Sequence, residues 1–213
     1  MRDMLELVFI IDRSGSMARL VSDTIGGFNS VLEKQKETSG SEVLVSTVLF
    51  DHTSDVIHNR IPIRDVKPLD SETYQVRGTT ALLDAVGGAI EHIKRVHRYL
   101  GEVDRPSKTM FVITTDGLEN ASMNYKRSNI SNMIQQQTEL GWEFIYLGAN
   151  VDAYQEAAQM GIRKERTANY IHDAQGVNHS YMASNEAISH LRSGKIHKNW
   201  KNIVDQDYIN RKK

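Results

Sequence analysis

The sequence predicts one doubly wound α/β domain: a mostly parallel, Rossmann-like sheet of about six strands, helices on both faces and one antiparallel edge strand. Three observations carry that reading. Short uninterrupted apolar runs alternate with longer stretches of helical period. The connections between most of those runs are long enough to cross back over a sheet. One pair of runs, Val43–Phe50 and Val56–Ile61, is joined by residues 51–55 alone, too few for a parallel crossover, so its second strand must run antiparallel. The chain has 213 residues, enough for one sizeable core and too few for three domains.

Leu7-Val8-Phe9-Ile10-Ile11 is β-branched, unbroken and ends in Asp12, as suits a strand buried on both faces. Val21, Ile25, Phe28 and Leu32 follow at spacings of four, three and four, one face of a helix that ends near Ser39-Gly40. Val43–Phe50 is the second strand. Val56–Ile61 is more polar and precedes Pro62, the signature of an edge. Leu82, Val86, Ile90, Ile93, Val96 and Leu100 mark a second long helix, and Met110–Thr114 a fourth strand stopped by Asp116-Gly117. A helix over 128–140, a strand over 144–147, a short helix over 152–160, a weak strand near 168–171 and a helix over 178–191 complete the set. Residues 1–198 are expected to form the domain. Residues 199–213 are expected to be a flexible polar tail.

Composition excludes several function classes. With 26 basic and 27 acidic residues, the net charge of −1 does not supply the positive field of sequence-independent nucleic-acid binding. Zero cysteines exclude a disulfide scaffold, a thiolate zinc site and a cysteine nucleophile. The apolar runs are too short to span a membrane, and Met1–Met4 leads into the first strand without the regions of a signal peptide. A cytoplasmic location is therefore expected.

Ligands on open α/β sheets sit beyond the carboxyl ends of the strands, where the strand order reverses. Three loops should meet there: Asp12-Arg13-Ser14-Gly15-Ser16, Arg77-Gly78-Thr79-Thr80-Ala81 and Thr114-Thr115-Asp116-Gly117. Together they offer two carboxylates and several hydroxyls, the oxygen donors that hard divalent cations prefer. Gly15 permits the tight turn that lets Ser14 and Ser16 face one point. The competing reading is purely local. Ser14, Thr79 or Thr80 would then cap the helices that follow, and Asp116-Gly117 would be a turn.

Asp12-x-Ser14-x-Ser16, Thr80 and the aspartate of Thr115-Asp116-Gly117 resemble the metal-ion-dependent adhesion site of von Willebrand factor A domains. The surrounding text, Ile25-Gly26-Gly27-Phe28-Asn29, Thr80-Ala81-Leu82-Leu83-Asp84-Ala85, Asp116-Gly117-Leu118-Glu119-Asn120 and Gly148-Ala149-Asn150, looks like that of free-standing bacterial members. The resemblance implies that Ser14, Ser16 and Thr80 ligate Mg2+ or Mn2+ directly, that Asp12 acts largely through water, and that Asp116 acts either way. Thr80 is preferred to Thr79 because the family places its threonine two residues before a leucine, here Leu82. It further implies a protein–protein interaction module, not an enzyme, in which an Asp or Glu of an unidentified partner fills the open coordination position. With two carboxylates against +2, the ion retains affinity for one more anion.

The second reading is a Mg2+-dependent phosphohydrolase with Asp12 as nucleophile. Phosphatases of the haloacid-dehalogenase type need an acid two residues on and a lysine near the metal loop. Here Ser14 takes the acid's place, and no lysine lies near Asp116. No glycine-rich dinucleotide or P-loop motif occurs. Eight histidines form no zinc-like pair; His92 and His97 fall on different faces of one helix. Asp51, Asp55 and Asp65 read as turn residues. Glu119 and Asn120 are candidates to orient metal-bound waters, and Arg192, Lys195, Lys198 and Lys201 with Trp200 read as a solvated helix end or an acidic partner's docking patch.

Overall fold

Every strand but one is laid against a neighbour that runs the same way, and the order of those neighbours locates the functional end. The computed structural model describes residues 2–149 and 152–211. Asn150, part of one motif above, and the last two lysines lie outside them. The strands are β1 (Arg2–Asp12), β2 (Glu42–Phe50), β3 (Ser54–Pro62), β4 (Pro106–Thr115), β5 (Glu143–Ala149) and β6 (Thr167–Tyr170). They form one six-stranded sheet in the order β3-β2-β1-β4-β5-β6. Only β3 is antiparallel, hydrogen-bonded to β2 at the edge. The order reverses between β1 and β4, where Ile11 faces Thr114 in register. The crevice of a doubly wound sheet opens at such a reversal.

The helices are α1 (Val21–Glu37), α2 (Leu82–Tyr99), α3 (Arg127–Glu139), α4 (Ala153–Gln159), α5 (Ala174–Ser193) and α6 (Asn202–Arg211). Strand periodicity divides the core between them. Leu5, Leu7, Phe9 and Ile11 of β1 face the cluster that contains Phe28 and Leu32 of α1 and Val177 and Ile188 of α5. Val8 and Ile10 face the other cluster, with Val86 and Ile90 of α2 and Ile130 and Ile134 of α3. A Cβ on Gly27 would fall 2.2 Å from the Tyr181 ring, so α1 and α5 approach each other over a bare backbone. Glu6 is the exception in β1: fully buried, it accepts from Arg60 Nε at 2.9 Å and lies 3.3 Å from His97 Nε2.

The carboxyl-terminal segment corrects the expected flexible tail. Residues 198–201 form a 3-10 turn and α6 continues from it. Trp200 is 1% exposed and donates its indole N–H to Glu165 O at 2.9 Å; Val204 is equally buried. The stretch reads as polar, yet two of its basic residues, Arg192 and Lys201, point at carbonyl oxygens, while Lys195 and Lys198 are exposed. Lys201 Nζ donates to Thr167 O at 2.6 Å, and Arg192 donates to the oxygens of Gln35, Thr38 and Ser41. Both stems cover apolar surface while the head satisfies backbone. Arg192, Trp200 and Lys201 are therefore structural parts of the domain, and only Lys195 and Lys198 of the stretch are solvated.

Replacing Trp200 by alanine should destabilise the fold by about 3–5 kcal/mol, the usual cost of emptying a buried aromatic site. Urea unfolding of wild type and Trp200→Ala measures it. A change under about 1 kcal/mol would show that the segment is a loosely attached appendage.

Candidate metal centre

β1 and β4 end side by side, which brings the loop after each to the same edge of the sheet. Main-chain bonds then tie the first loop to the 77–81 loop. Gly15 N donates to Gly78 O at 3.1 Å, Arg77 N to Arg13 O at 2.9 Å and Ala81 N to Asp51 O at 2.7 Å. Gly78 has φ +66°, and a Cβ there would meet His52 Nδ1 at 2.2 Å, so only glycine fits this crossing. Buried tyrosines hold the strand ends from below: Tyr74 donates to Asp12 O at 2.5 Å and Tyr170 to Thr115 O at 3.4 Å.

Asp12 has no exposed surface. Its Oδ1 accepts from Ser14 N at 2.7 Å and its Oδ2 from Thr115 Oγ1 at 2.5 Å. Burial outweighs those bonds, and with a smaller push from Asp116 raises its pKa to about 6. Ser14 Oγ lies 3.1 Å from Ser16 Oγ, which donates to Asp116 Oδ1 at 2.6 Å. Asp116 Oδ2 is buried and makes no hydrogen bond; His172 Nε2 is 2.7 Å away but not aligned for one. Thr80 is buried whereas Thr79 is exposed. A Cβ built on Gly117 would lie 3.0 Å from Thr80 Oγ1 and 3.8 Å from Ser16 Oγ, so both hydroxyls lie close to Gly117. Asp12, Ser14, Ser16, Thr80 and Asp116 thus come together at the carboxyl ends of β1 and β4.

The local capping alternative does not describe these hydroxyls. Ser14 occupies the N-cap position of the 3-10 turn over 15–20 but makes no side-chain cap bond, and Ala81 is the N-cap of α2. The carboxylate that serves α2 is Glu119, whose Oε2 accepts from Leu83 N at 2.9 Å while Oε1 takes Ala121 N and Ser122 N. Asn120 clamps Thr80 in both directions, Oδ1 accepting from Thr80 N at 2.9 Å and its own N–H reaching Thr80 O at 3.0 Å. Glu119 and Asn120 therefore brace the loop backbone.

Asp51 is the largest departure from the sequence reading. It is fully buried and accepts from Arg13 Nε at 2.7 Å and Arg77 Nε at 2.9 Å, with His52 Nδ1 at 2.8 Å. Asp55 takes the outer ends of both guanidiniums. Burial opposes the charge on Asp51, but hydrogen bonds from Arg77, from Thr53 N and from Arg13 prevail and hold its pKa at about 2. Position 51 follows the strand that pairs Phe50 with Asp12, so sheet order alone brings Asp51 to Arg13. Strand spacing in the sequence carries no such signal. The same holds for His172 at the site.

The residues fit a hard divalent cation. Three hydroxyls and two carboxylates are oxygen donors, one carboxylate oxygen is buried without a hydrogen-bond donor, and the other carboxylate is raised by burial. No cluster of three or more His, Cys, Asp or Glu suited to a metal occurs among the described residues, so any metal here relies on hydroxyls.

The two carboxylates give opposite pH signatures. Asp12 titrates higher folded than unfolded, so its contribution is most favourable below pH 4 and is lost as pH rises through 6; the shift amounts to about 3 kcal/mol. Asp51 titrates lower folded, so its contribution is present above pH 4 and is lost as pH falls towards 2, about 2 kcal/mol. Urea midpoints in EDTA should show the decline between pH 4 and 6 in wild type and not in Asp12→Asn. Asp51→Asn should remove the loss below pH 4.

No family profile and no curated protein matches the sequence. Solved structures match the fold. Proximal thread matrix protein 1 (PTMP1) from the mussel byssus, in a structure with a zinc occupied MIDAS motif, aligns at 11% identity and TM-score 0.59 over 88% of this chain and 46% of that one. The vWF domain of the type V pili tip protein Mfa5 from Porphyromonas gingivalis aligns at 9% and 0.60 over 88% and 96%. A von Willebrand factor type A protein from Catenulispora acidiphila aligns at 12% and 0.55 over 89% and 43%. The chain spans less than half of the first and third. No described helix is long and apolar enough to cross a membrane, but a pilus protein among these neighbours lends no support to the expected cytoplasmic location. Six strands in this order, with one antiparallel edge and helices on both faces, are the fold of a von Willebrand factor A domain.

Proposed function

We propose that this chain is a metal-dependent protein–protein interaction module and not an enzyme. Ser14, Ser16 and Thr80 hold Mg2+ or Mn2+ with Asp12 and Asp116, and the ion accepts an Asp or Glu side chain from a partner protein. The observation that carries this reading is the buried Asp116 carboxylate, whose Oδ1 is engaged by Ser16 and whose Oδ2 makes no hydrogen bond and has the His172 ring nitrogen at 2.7 Å beside it. A buried carboxylate oxygen in that state calls for a cation. The zinc occupied MIDAS motif of PTMP1, on the same fold, adds support. Ser16 is exposed, so the crevice is open to a partner, and Leu118 and Met123, 45% and 92% exposed, supply apolar surface on the loop that follows Asp116.

The phosphohydrolase reading fits less well. A nucleophilic Asp12 needs a free oxygen in line with the phosphorus, yet one oxygen is held by Ser14 N and the other by Thr115 Oγ1. An aryl phosphate with Mg2+ should not turn over; turnover abolished by Asp12→Asn would replace the binding reading with the enzymatic one.

Thermal melts test the metal. Raising Mg2+ to about a hundred times its dissociation constant should add roughly 2.7 kcal/mol to wild type, and Asp116→Asn should gain little. In EDTA that variant should be at least as stable as wild type, because it removes a buried charge that repels Asp12. A wild-type melting temperature indifferent to Mg2+ and Mn2+, with a variant that loses about 1 kcal/mol in EDTA, would identify Asp116 as a turn residue.

A further inference from the structure

The opposite end of the sheet carries a second feature that the metal reading leaves unused. A cavity of about 500 Å³ opens where α2 and α3 end and β4 begins, lined by Lys94, His97, Arg98, Arg105, Leu140 and Trp142 among others. β4 spans the domain from Pro106, in this lining, to Thr115 beside the metal crevice. Ten strand residues set the two sites roughly 30 Å apart.

Four of those side chains are basic and no acidic residue lines the cavity. Lys94 is paired with Glu91 at 2.9 Å, and His97 faces the buried Glu6. Arg98 and Arg105 have no ion pair or hydrogen bond among the described residues, and Arg105 Nε is buried without an acceptor. Glu102 and Asp104, on the same connection, do not pair with them. The negative end of α2 explains a cation at Arg98, but Arg105 lies beyond the intervening turn. An unmatched buried guanidinium nitrogen is costly and is relieved by a planar oxyanion. Leu140, in the lining, is 74% exposed, and Tyr99 and Val103, between the two arginines in the sequence, are 82% and 72% exposed. Arginine beside exposed aromatic and aliphatic side chains is the composition of an interface centre, and it exceeds what a free phosphate would require.

We infer that this basal groove docks an acidic–apolar segment of a partner protein, whose carboxylates pair with Arg98 and Arg105 while a large apolar side chain packs on Leu140 and Trp142. It is a docking surface separate from the metal crevice and independent of the metal.

The test uses the full chain, 15N-labelled and in EDTA, titrated with an acetylated pentapeptide that alternates glutamate with leucine and phenylalanine. Amide shifts should concentrate in residues 94–109 and 137–142 and persist unchanged when Mg2+ replaces EDTA. Arg98→Ala/Arg105→Ala should weaken binding at least about tenfold with an unaltered urea midpoint. Arg105→Lys should weaken it too, because a lysine keeps the charge but not the fork. Four results would each overturn the inference: no shifts up to millimolar peptide; the same affinity in the double variant; binding that requires Mg2+, which belongs to the metal crevice; or inorganic phosphate reproducing the same shifts at equal affinity, which marks a small-anion site. Concentration-dependent broadening of the same resonances without peptide would assign the groove to a second copy of the chain, against the inference. Loss of the Mg2+-dependent melting shift leaves this result untouched, so the two readings fail separately.

Discussion

Burying the carboxylate of Asp12 at the end of β1 is the constraint on which the functional end of this molecule depends. A charge there is unfavourable, as its raised pKa of about 6 records. The chain surrounds it with backbone and hydroxyl donors, not with a lysine or arginine. Ser14 N and Thr115 Oγ1 orient it, and Tyr74 fixes the carbonyl of the same residue. The nearest guanidinium, Arg13, is turned away and engaged by Asp51 and Asp55. Asp12 and Asp116 are thereby buried beside neutral hydroxyls, with the His172 ring nitrogen 2.7 Å from Asp116 Oδ2. A protein selected only for stability would pair or replace Asp12, since an uncompensated buried charge is among the most destabilising features a fold can carry.

The ionic cluster behind the site explains how such a crevice keeps its shape. Asp51, at the end of β2, binds the side chains of Arg13 and Arg77, and its carbonyl takes Ala81 N. One residue thus anchors the loop that carries the serines and the loop that carries Thr80. Asn120 adds the third loop by clamping Thr80. Because the bonds to Thr80 and to the first loop are largely main-chain, the hydroxyls are free to face the crevice while their backbones are held. Donors fixed by a supporting layer would lose little entropy on binding an ion, which favours the proposed site with its three neutral ligands.

The sequence disclosed the sheet and the donor set unevenly, for identifiable reasons. β1, β2, β4 and β5 are buried on both faces and so read as unbroken apolar runs; β3 declared itself by the shortness of its connection and by Pro62. Donors within one turn, such as Ser14 and Ser16, are legible from spacing. α6 was hidden because its attachment uses one tryptophan and inward-facing lysine and arginine, residues that resemble a solvated tail when counted by polarity. The Arg13–Asp51 pair spans 38 positions and follows only from the β1–β2 register. Glu119 reaches 36 residues back to α2, a bond that its neighbourhood to Asp116 in sequence does not disclose.

On the proposed reading, the two ends of the domain recognise one chemical group by different physics. At the metal crevice a carboxylate completes the coordination of an ion already opposed by two negative charges, so binding depends on metal and is strongly directional. At the basal groove a carboxylate meets two guanidiniums with no metal between, so attraction is weaker, screened by salt, and reliant on the apolar rim for the remainder. Neither end perturbs the other electrostatically: about 30 Å exceeds three Debye lengths at physiological ionic strength, and β4, buried from Thr109 to Thr115, connects them as a rigid strut. A domain built this way is able to hold two acidic segments at once, at a separation set by one strand.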